Sequence, residues 1–285
     1  GGGDLDGLRR KADRGAALDV MARGAARIAA RLHAEGRVDG VLALGGSGGT
    51  GIATAAMREL PVGLPKVMVS TLAAGDIAPY VGVKDIAMMF SVVDIAGLNR
   101  LSRRILASAA GMVCGAIEQK APVVADRPLI ASPMFGVTTP CVTRLRELLE
   151  AAGYEVLVFH ATGTGGRAME SLIESGFITA AADVTTTEWC DELVGGVLTA
   201  GPARLEAAAN AALPQVVSCG ALDMVNFWAA DTIPERFRGR TLHKHSPNVT
   251  LMRTTPEECA RLGEILADKL NASKEIGRAS CRERV

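Results

Sequence analysis

Apolar positions along the chain alternate between two periods. The stretch Ala12–Glu35 places Val20, Ile28 and Leu32 at helical spacing within an Ala-rich amphipathic segment. The short run Val38–Leu44 then reads as a buried strand that leads straight into GGSGGTG, Gly45 to Gly51. A helix is expected from about Ile52 to Leu60, stopped by Pro61. Val67–Thr71 and Ile86–Phe90 read as the next strands, and Asp94 is placed to cap a long helix over Ile95–Glu118. The segment Gln119–Pro128, with two prolines and alternating charges, breaks the pattern and marks a domain boundary.

The alternation then resumes. Leu129–Ser132 is a strand, and Thr139 with Pro140 opens a helix that runs to Ala152. Glu155–His160 is a strand followed by ATGTGG and a helix to Glu174, then strands at Thr179–Val184, Gln215–Ser218 and Asn248–Met252. Thr255-Pro256-Glu257-Glu258 carries a capping signature for a final helix ending at Leu270–Asn271. Strands and helices alternating at this spacing predict an α/β fold of two Rossmann-like subdomains, with mostly parallel sheets and helices on both faces. The expected boundaries are 1–120, 128–271 and a tail, 272–285. That tail is basic and lacks an apolar stripe, and it reads as foreign to the fold.

Composition narrows the function classes. With 31 basic and 31 acidic residues the formal charge is zero, so no broad basic field exists for a nucleic-acid backbone. The longest apolar stretch, Ile105–Ile117, is shorter than the roughly 18 residues of a membrane span. Six dispersed cysteines, Cys114, Cys141, Cys190, Cys219, Cys259 and Cys281, contain no C-x-x-C pair. Zinc ribbons and redox dithiols are thereby disfavoured, and a reducing, cytoplasmic setting is expected.

The candidate chemistry lies at strand ends. In the first loop Gly45, Gly46, Ser47, Gly48, Gly49 and Thr50 sit between a strand and a helix start, where backbone amides and the helix dipole favour an anion. A tight turn allowing close helix packing would use the same glycines. The loop lacks the Lys-Ser/Thr pair of a Walker motif, and no acidic residue ends the following strand as a dinucleotide site would require. The second loop repeats the device with Thr162, Gly163, Thr164, Gly165 and Gly166, and here the next strand ends near Asp183 with Glu188 shortly after, the spacing of a ribose partner, although the threonines between them equally suit a self-satisfied loop. The turn Gly136-Val137-Thr138-Thr139-Pro140 belongs to the same strand end.

His160, Glu188 and Asp223 are the candidate acid–base groups, each with a purely structural alternative. His243 and His245 flank Lys244 without further metal ligands, which suggests a surface strand. Asn226 is grouped with Asp223, Asp76 is a further acidic candidate, and Arg100, Arg103 and Arg104 read as a solvated helix face.

LGGSGGTGIAT, PKVMVSTLAAGDIAPYVG, MFGVTTPCV, FHATGTGGRAMESLI and TTTEWCDELVGGVLTAGP together resemble the Tm-one-like ATP-binding domain family, over about Asp4 to Asn271. That family comprises uncharacterised bacterial proteins related to a plant tomato mosaic virus resistance protein. The resemblance implies two Rossmann-like subdomains, ATP as ligand and a homodimer; beside such a ligand the acidic groups Asp76, Asp183 or Glu188 would engage the ribose or, indirectly, a magnesium ion. It also implies a further segment ahead of Gly1, whose absence would expose an edge of the first sheet. The readings left open are an ATP-binding protein, a metabolic enzyme acting on a phosphorylated or carboxylated small molecule, and a protein–protein inhibitor.

Overall fold

The computed structural model describes residues 5–11, 13–120 and 126–273. The chain divides into two compact units, Gly1–Val123 and Val124–Val285. Part of the expected boundary segment Gln119–Pro128, and the expected tail beyond Ser273 with Cys281, lie outside the described residues.

The first unit opens with α1 (Leu5–Lys11) and α2 (Arg14–Ala34), the latter capped by the Asp13 carboxylate on the Ala16 amide. β1 (Val41–Gly45), β2 (Lys66–Ser70) and β3 (Ala87–Phe90) form a parallel sheet in the order β1-β2-β3. Between them run α3 (Ser47–Arg58) and the short α4 (Ala78–Val81), and α5 (Arg100–Glu118) completes the unit. Strand side chains alternate between faces. Val67 and Val69 therefore meet Ala109 and Val113 of α5, whereas Ser70 meets Thr50 of α3 on the other face. β1 has no partner on its outer side among the described residues, and Leu42 and Leu44 remain 37% and 48% exposed.

α5 starts five residues later than the Asp94 cap predicts. The Asp94 carboxylate takes only the adjacent Ile95 amide, and Gly97 turns the chain at a φ of +101°. Asn99 provides the cap instead, accepting from Leu101 and Ser102, and the Ser102 hydroxyl accepts in return from the Asn99 amide.

In the second unit β4 (Leu129–Met134), β5 (Glu155–His160), β6 (Ala180–Asp183) and β7 (Gln215–Val217) pair in parallel, in the order β5-β4-β6-β7. α6 (Thr139–Ala151) and α7 (Thr164–Glu174) make the crossovers around β4 and β5. Ala131 and Ala181 pack under Met169 and Ile173 of α7, together with Ala207 and Ala208 of the one-turn helix α9 (Ala207–Asn210). Small residues on the strands let α7 approach closely.

The sequence pattern did not separate out a second, antiparallel sheet, β8-β10-β9, built from β8 (Met224–Phe227), β9 (Leu242–Ser246) and β10 (Val249–Arg253). α8 (Glu188–Val194) and α10 (Pro256–Asn271) pack on it, through Trp189 and Cys190 and through Leu262 and Leu266. His243 and His245 lie exposed on β9. Among the described residues no helix is long and apolar enough to cross a membrane.

Candidate functional site

In the first loop, Gly45 ends β1 and pairs with Ser70, Gly46 is the N-cap in extended conformation, and α3 begins at Ser47. The first intrahelical bond runs from the Thr50 amide to the Gly46 carbonyl at 2.8 Å. The amides of Ser47, Gly48 and Gly49 have no partner among the described residues, so three donors converge at the positive end of a 12-residue helix.

The glycines of this loop divide into two groups. A Cβ on Gly45 would lie 2.9 Å from Gly49 Cα, and one on Gly48 would press on Leu18 of α2 at 3.2 Å. These two serve packing. Gly46 and Gly49 would meet neighbours only at ordinary distances, 3.7 and 3.8 Å, and Gly51 would meet nothing within 4 Å. None of these three has a positive φ. Gly49 and Gly51 lie inside α3, where a glycine costs roughly 0.5–1 kcal/mol relative to alanine, and neither packing nor backbone angle offsets that.

Thr50 departs from its expected role as a phosphate donor. It is fully buried, and its hydroxyl lies 2.7 Å from Ser70 Oγ and 3.4 Å from the Gly45 carbonyl, tying α3 to β2. Ser47 is exposed at the helix start. The Asp76 carboxylate accepts from the Ala78 amide at 3.0 Å, beside the start of α4.

The second loop has the same topology and a different state. Gly163 adopts a φ of +83°, and its amide and that of Gly166 both donate to Glu188 Oε1, at 2.7 and 3.0 Å. A Cβ on Gly166 would overlap the Glu188 carboxylate, and one on Gly165 the His160 carbonyl. Glu188, 1% exposed, fills this amide nest as an internal anion. Its Oε2 accepts from Arg204 Nε at 2.9 Å.

Arg204 is the hub of this end of the unit. It forks onto Asp183 at 2.5 and 2.8 Å and also donates to Glu170 Oε1 at 3.0 Å. Glu170 in turn accepts from the Leu205 and Ala207 amides, each at 2.8 Å. Burial works against the Arg204 charge, but Asp183, Glu188 and Glu170 hold it more firmly protonated than a free guanidinium. Burial raises the Glu170 pKa above the usual carboxylate range, against the pull of Arg204. Asp183 and Glu188 thus have internal partners rather than open faces for a ribose or a proton transfer. Sequence reasoning missed Arg204 and Glu170. The available signal was a single arginine among the small residues of AGPARLEAAA.

The remaining candidates are scattered. His160 is exposed and stacks on Phe135 with ring centroids 6.2 Å apart. Asp223 makes an exposed ion pair with Arg253 at 3.1 Å. Asn226, within β8, donates from its side chain to Asp191 Oδ2 at 2.8 Å and from its backbone to Oδ1 at 2.9 Å. Burial lifts Asp191 to about 6 although those bonds favour its charged form. Burial also pushes the Cys190 thiol up.

The sheet order reverses between β4 and β6, the position where open α/β sheets form a crevice. There Thr138 and Thr185 hydroxyls meet at 2.8 Å, and Thr186 donates to the Ser218 carbonyl at 2.9 Å. Among the described residues no group of three His, Cys, Asp or Glu could hold a metal ion.

Two consecutive family profiles match this arrangement. Residues 2–122 match the N-terminal domain, and residues 127–279 the C-terminal domain, of the uncharacterised protein family UPF0261. The chain belongs to that family. It is 58% identical to a UPF0261 protein of Clostridium tetani over 276 residues, which cover 96% of this chain and 68% of that protein. It is 57% identical to a UPF0261 protein of Rhizobium meliloti over 91% of this chain and 64% of that protein. The chain therefore spans about two thirds of these bacterial relatives. The ToMV resistance protein Tm-1(GCR237) of Solanum lycopersicum is 44% identical over 90% of this chain and 35% of that protein. The tomato ToMV susceptible protein tm-1(GCR26) matches to the same extent.

Proposed function

We propose that this chain binds a phosphate-bearing ligand, with ATP as the first candidate, on the α3 start of the first unit. The observation that carries the reading is the set of unpartnered amides at Ser47, Gly48 and Gly49, beside glycines that packing does not account for. Charge-assisted bonds from such amides contribute about 1.5–3 kcal/mol each. The second loop is the weaker candidate because Glu188 already takes two of its amides. Magnesium would arrive on the phosphates, held by their oxygens and water. An inhibitor role gains nothing from the tomato relatives, since resistance and susceptible forms are equally similar to this chain.

The test is Gly46→Asp. Aspartate is a favourable N-cap, and Gly46 has room for a Cβ, so α3 is kept or stabilised. Its carboxylate would occupy the amides that phosphate needs. Calorimetric titration with ATP and magnesium is expected to show binding that this variant weakens at least about ten-fold. Unchanged affinity, with the helix signal intact, would refute the assignment.

A further inference from the structure

We propose that an apolar cavity beside this loop takes the second half of the same ligand, a flat or short-chain apolar group joined to the phosphate. The inference rests on the phosphate reading of the α3 start. The cavity encloses about 220 Å³ and is walled by Leu44, Val69, Val93, Leu98, Ile105 and Leu106, with Ser91, Asp94 and Ser102 among its remaining lining residues. Pairing holds Gly45, Ser70 and Phe90 in line across the sheet. Leu44 and Ser91 therefore open the cavity at the strand end where the glycine loop begins. The loop's amides sit at the start of α3, and the cavity lies under α5, so a ligand passing over the strand ends would reach both.

The hydroxyls that line the cavity are already spent on the chain, which leaves the Asp94 carboxylate as its polar side chain. The Ser91 hydroxyl donates to the Val93 carbonyl at 2.7 Å, and the Ser102 hydroxyl is consumed in the Asn99 cap at 2.8 and 3.3 Å. Asp94 is exposed, with Oδ1 on the Ile95 amide at 2.7 Å. An apolar cavity of about 150 Å³ suffices for benzene, so this one accommodates a six-membered ring with a short extension. Two further features adjoin the cavity. Leu44 and Leu98 stand 48% and 62% exposed. Val92, between the lining residues Ser91 and Val93, is held at a φ of +64°, a conformation β-branched residues avoid.

The ligand class is therefore a phosphate ester or anhydride whose apolar part is gripped mainly by contact with Leu44, Val69, Val93, Leu98, Ile105 and Leu106. A nucleoside triphosphate inserting its base and a small aryl or acyl phosphate share this chemistry. A base held mainly by contact is poorly discriminated, whereas a site that hydrogen-bonds its substrate rejects mismatched analogues by several orders of magnitude.

Titration of the chain with inorganic phosphate, phenyl phosphate, ATP and GTP tests this. Phenyl phosphate is expected to bind at least about ten-fold tighter than inorganic phosphate, and ATP and GTP to agree within about three-fold. Leu98→Ser is expected to shrink the preference for phenyl phosphate over inorganic phosphate. ATP tighter than phenyl phosphate assigns the ligand to nucleotides, and the reverse to small aryl or acyl phosphates; both support the cavity. Equal binding of phenyl and inorganic phosphate, strong discrimination between ATP and GTP, or a preference unmoved by Leu98→Ser overturns the proposal and leaves phosphate on α3. Failure of all four to bind overturns both readings.

Discussion

Glu188 and Gly166 are fitted to each other: the Gly166 amide donates to Glu188 Oε1 at 3.0 Å, and no side chain at 166 could coexist with that carboxylate. The same residue type does opposite work in the two loops. In the second loop, glycine makes room for an anion the chain itself supplies. In the first, Gly46, Gly49 and Gly51 each leave room for a Cβ among the described residues.

Alanine substitutions separate these roles. Gly166→Ala is expected to cost about 2–4 kcal/mol, because the carboxylate must move and strand its hydrogen bonds. Gly51→Ala, inside α3 with open space around it, is expected to gain about 0.5–1 kcal/mol from helix propensity alone. Urea unfolding of the two variants beside the parent chain measures both; equal effects would mean that the glycines of both loops serve one purpose.

Replacing Arg204 by Met leaves Asp183, Glu188 and Glu170 buried without their cation. A loss of about 3–5 kcal/mol is expected near neutral pH. The deficit should narrow in mild acid, since unpaired buried carboxylates hold protons more tightly when folded than when unfolded. Denaturant midpoints at pH 5 and 7.5 check this, and a deficit independent of pH would contradict it.

Asp191 has a folded pKa of about 6 against an ordinary 3.8, so the native state binds this proton more tightly than the unfolded chain. Its contribution is complete below about pH 4 and declines as pH rises to 6, by at most about 3 kcal/mol. Asp191→Asn removes the titration, and its plot of stability against pH over that interval should be flatter than the parent's. Parallel plots would show that Asp191 is ionised throughout.

The sequence carried the parallel architecture because buried strands announce themselves as short Val, Ile and Ala runs between turn residues. Val38–Leu44 and Glu155–His160 were legible for that reason, and α10 through its Thr255–Glu258 box. The antiparallel sheet was less so. β8 and β9 are four and five residues long, and β9 carries Leu, His, Lys, His and Ser with no apolar alternation. The loops were legible as anion-binding geometry, but not their occupancy. Glu188 lies 22 residues beyond Gly166, and Arg204 a further 16, and no local pattern links a carboxylate to a nest at that range. Thr50 shows the converse: its place in the loop suggested an outward hydroxyl, and the pairing of β1 with β2 turned it toward Ser70.

The Arg204 hub also bears on how the second unit should move. Its guanidinium joins side chains from β6, α7 and α8, so Glu188 leaves the glycine nest only by giving up its bond to the Arg204 Nε, which Asp183 and Glu170 hold in place. The Gly163 and Gly166 amides should therefore open to solvent only in rare, large excursions, and exchange their hydrogens on the timescale of the whole unit. The Ser47, Gly48 and Gly49 amides are free of any such anchor and should exchange within the fast, local regime. One loop is a lock already turned; the other stands ready.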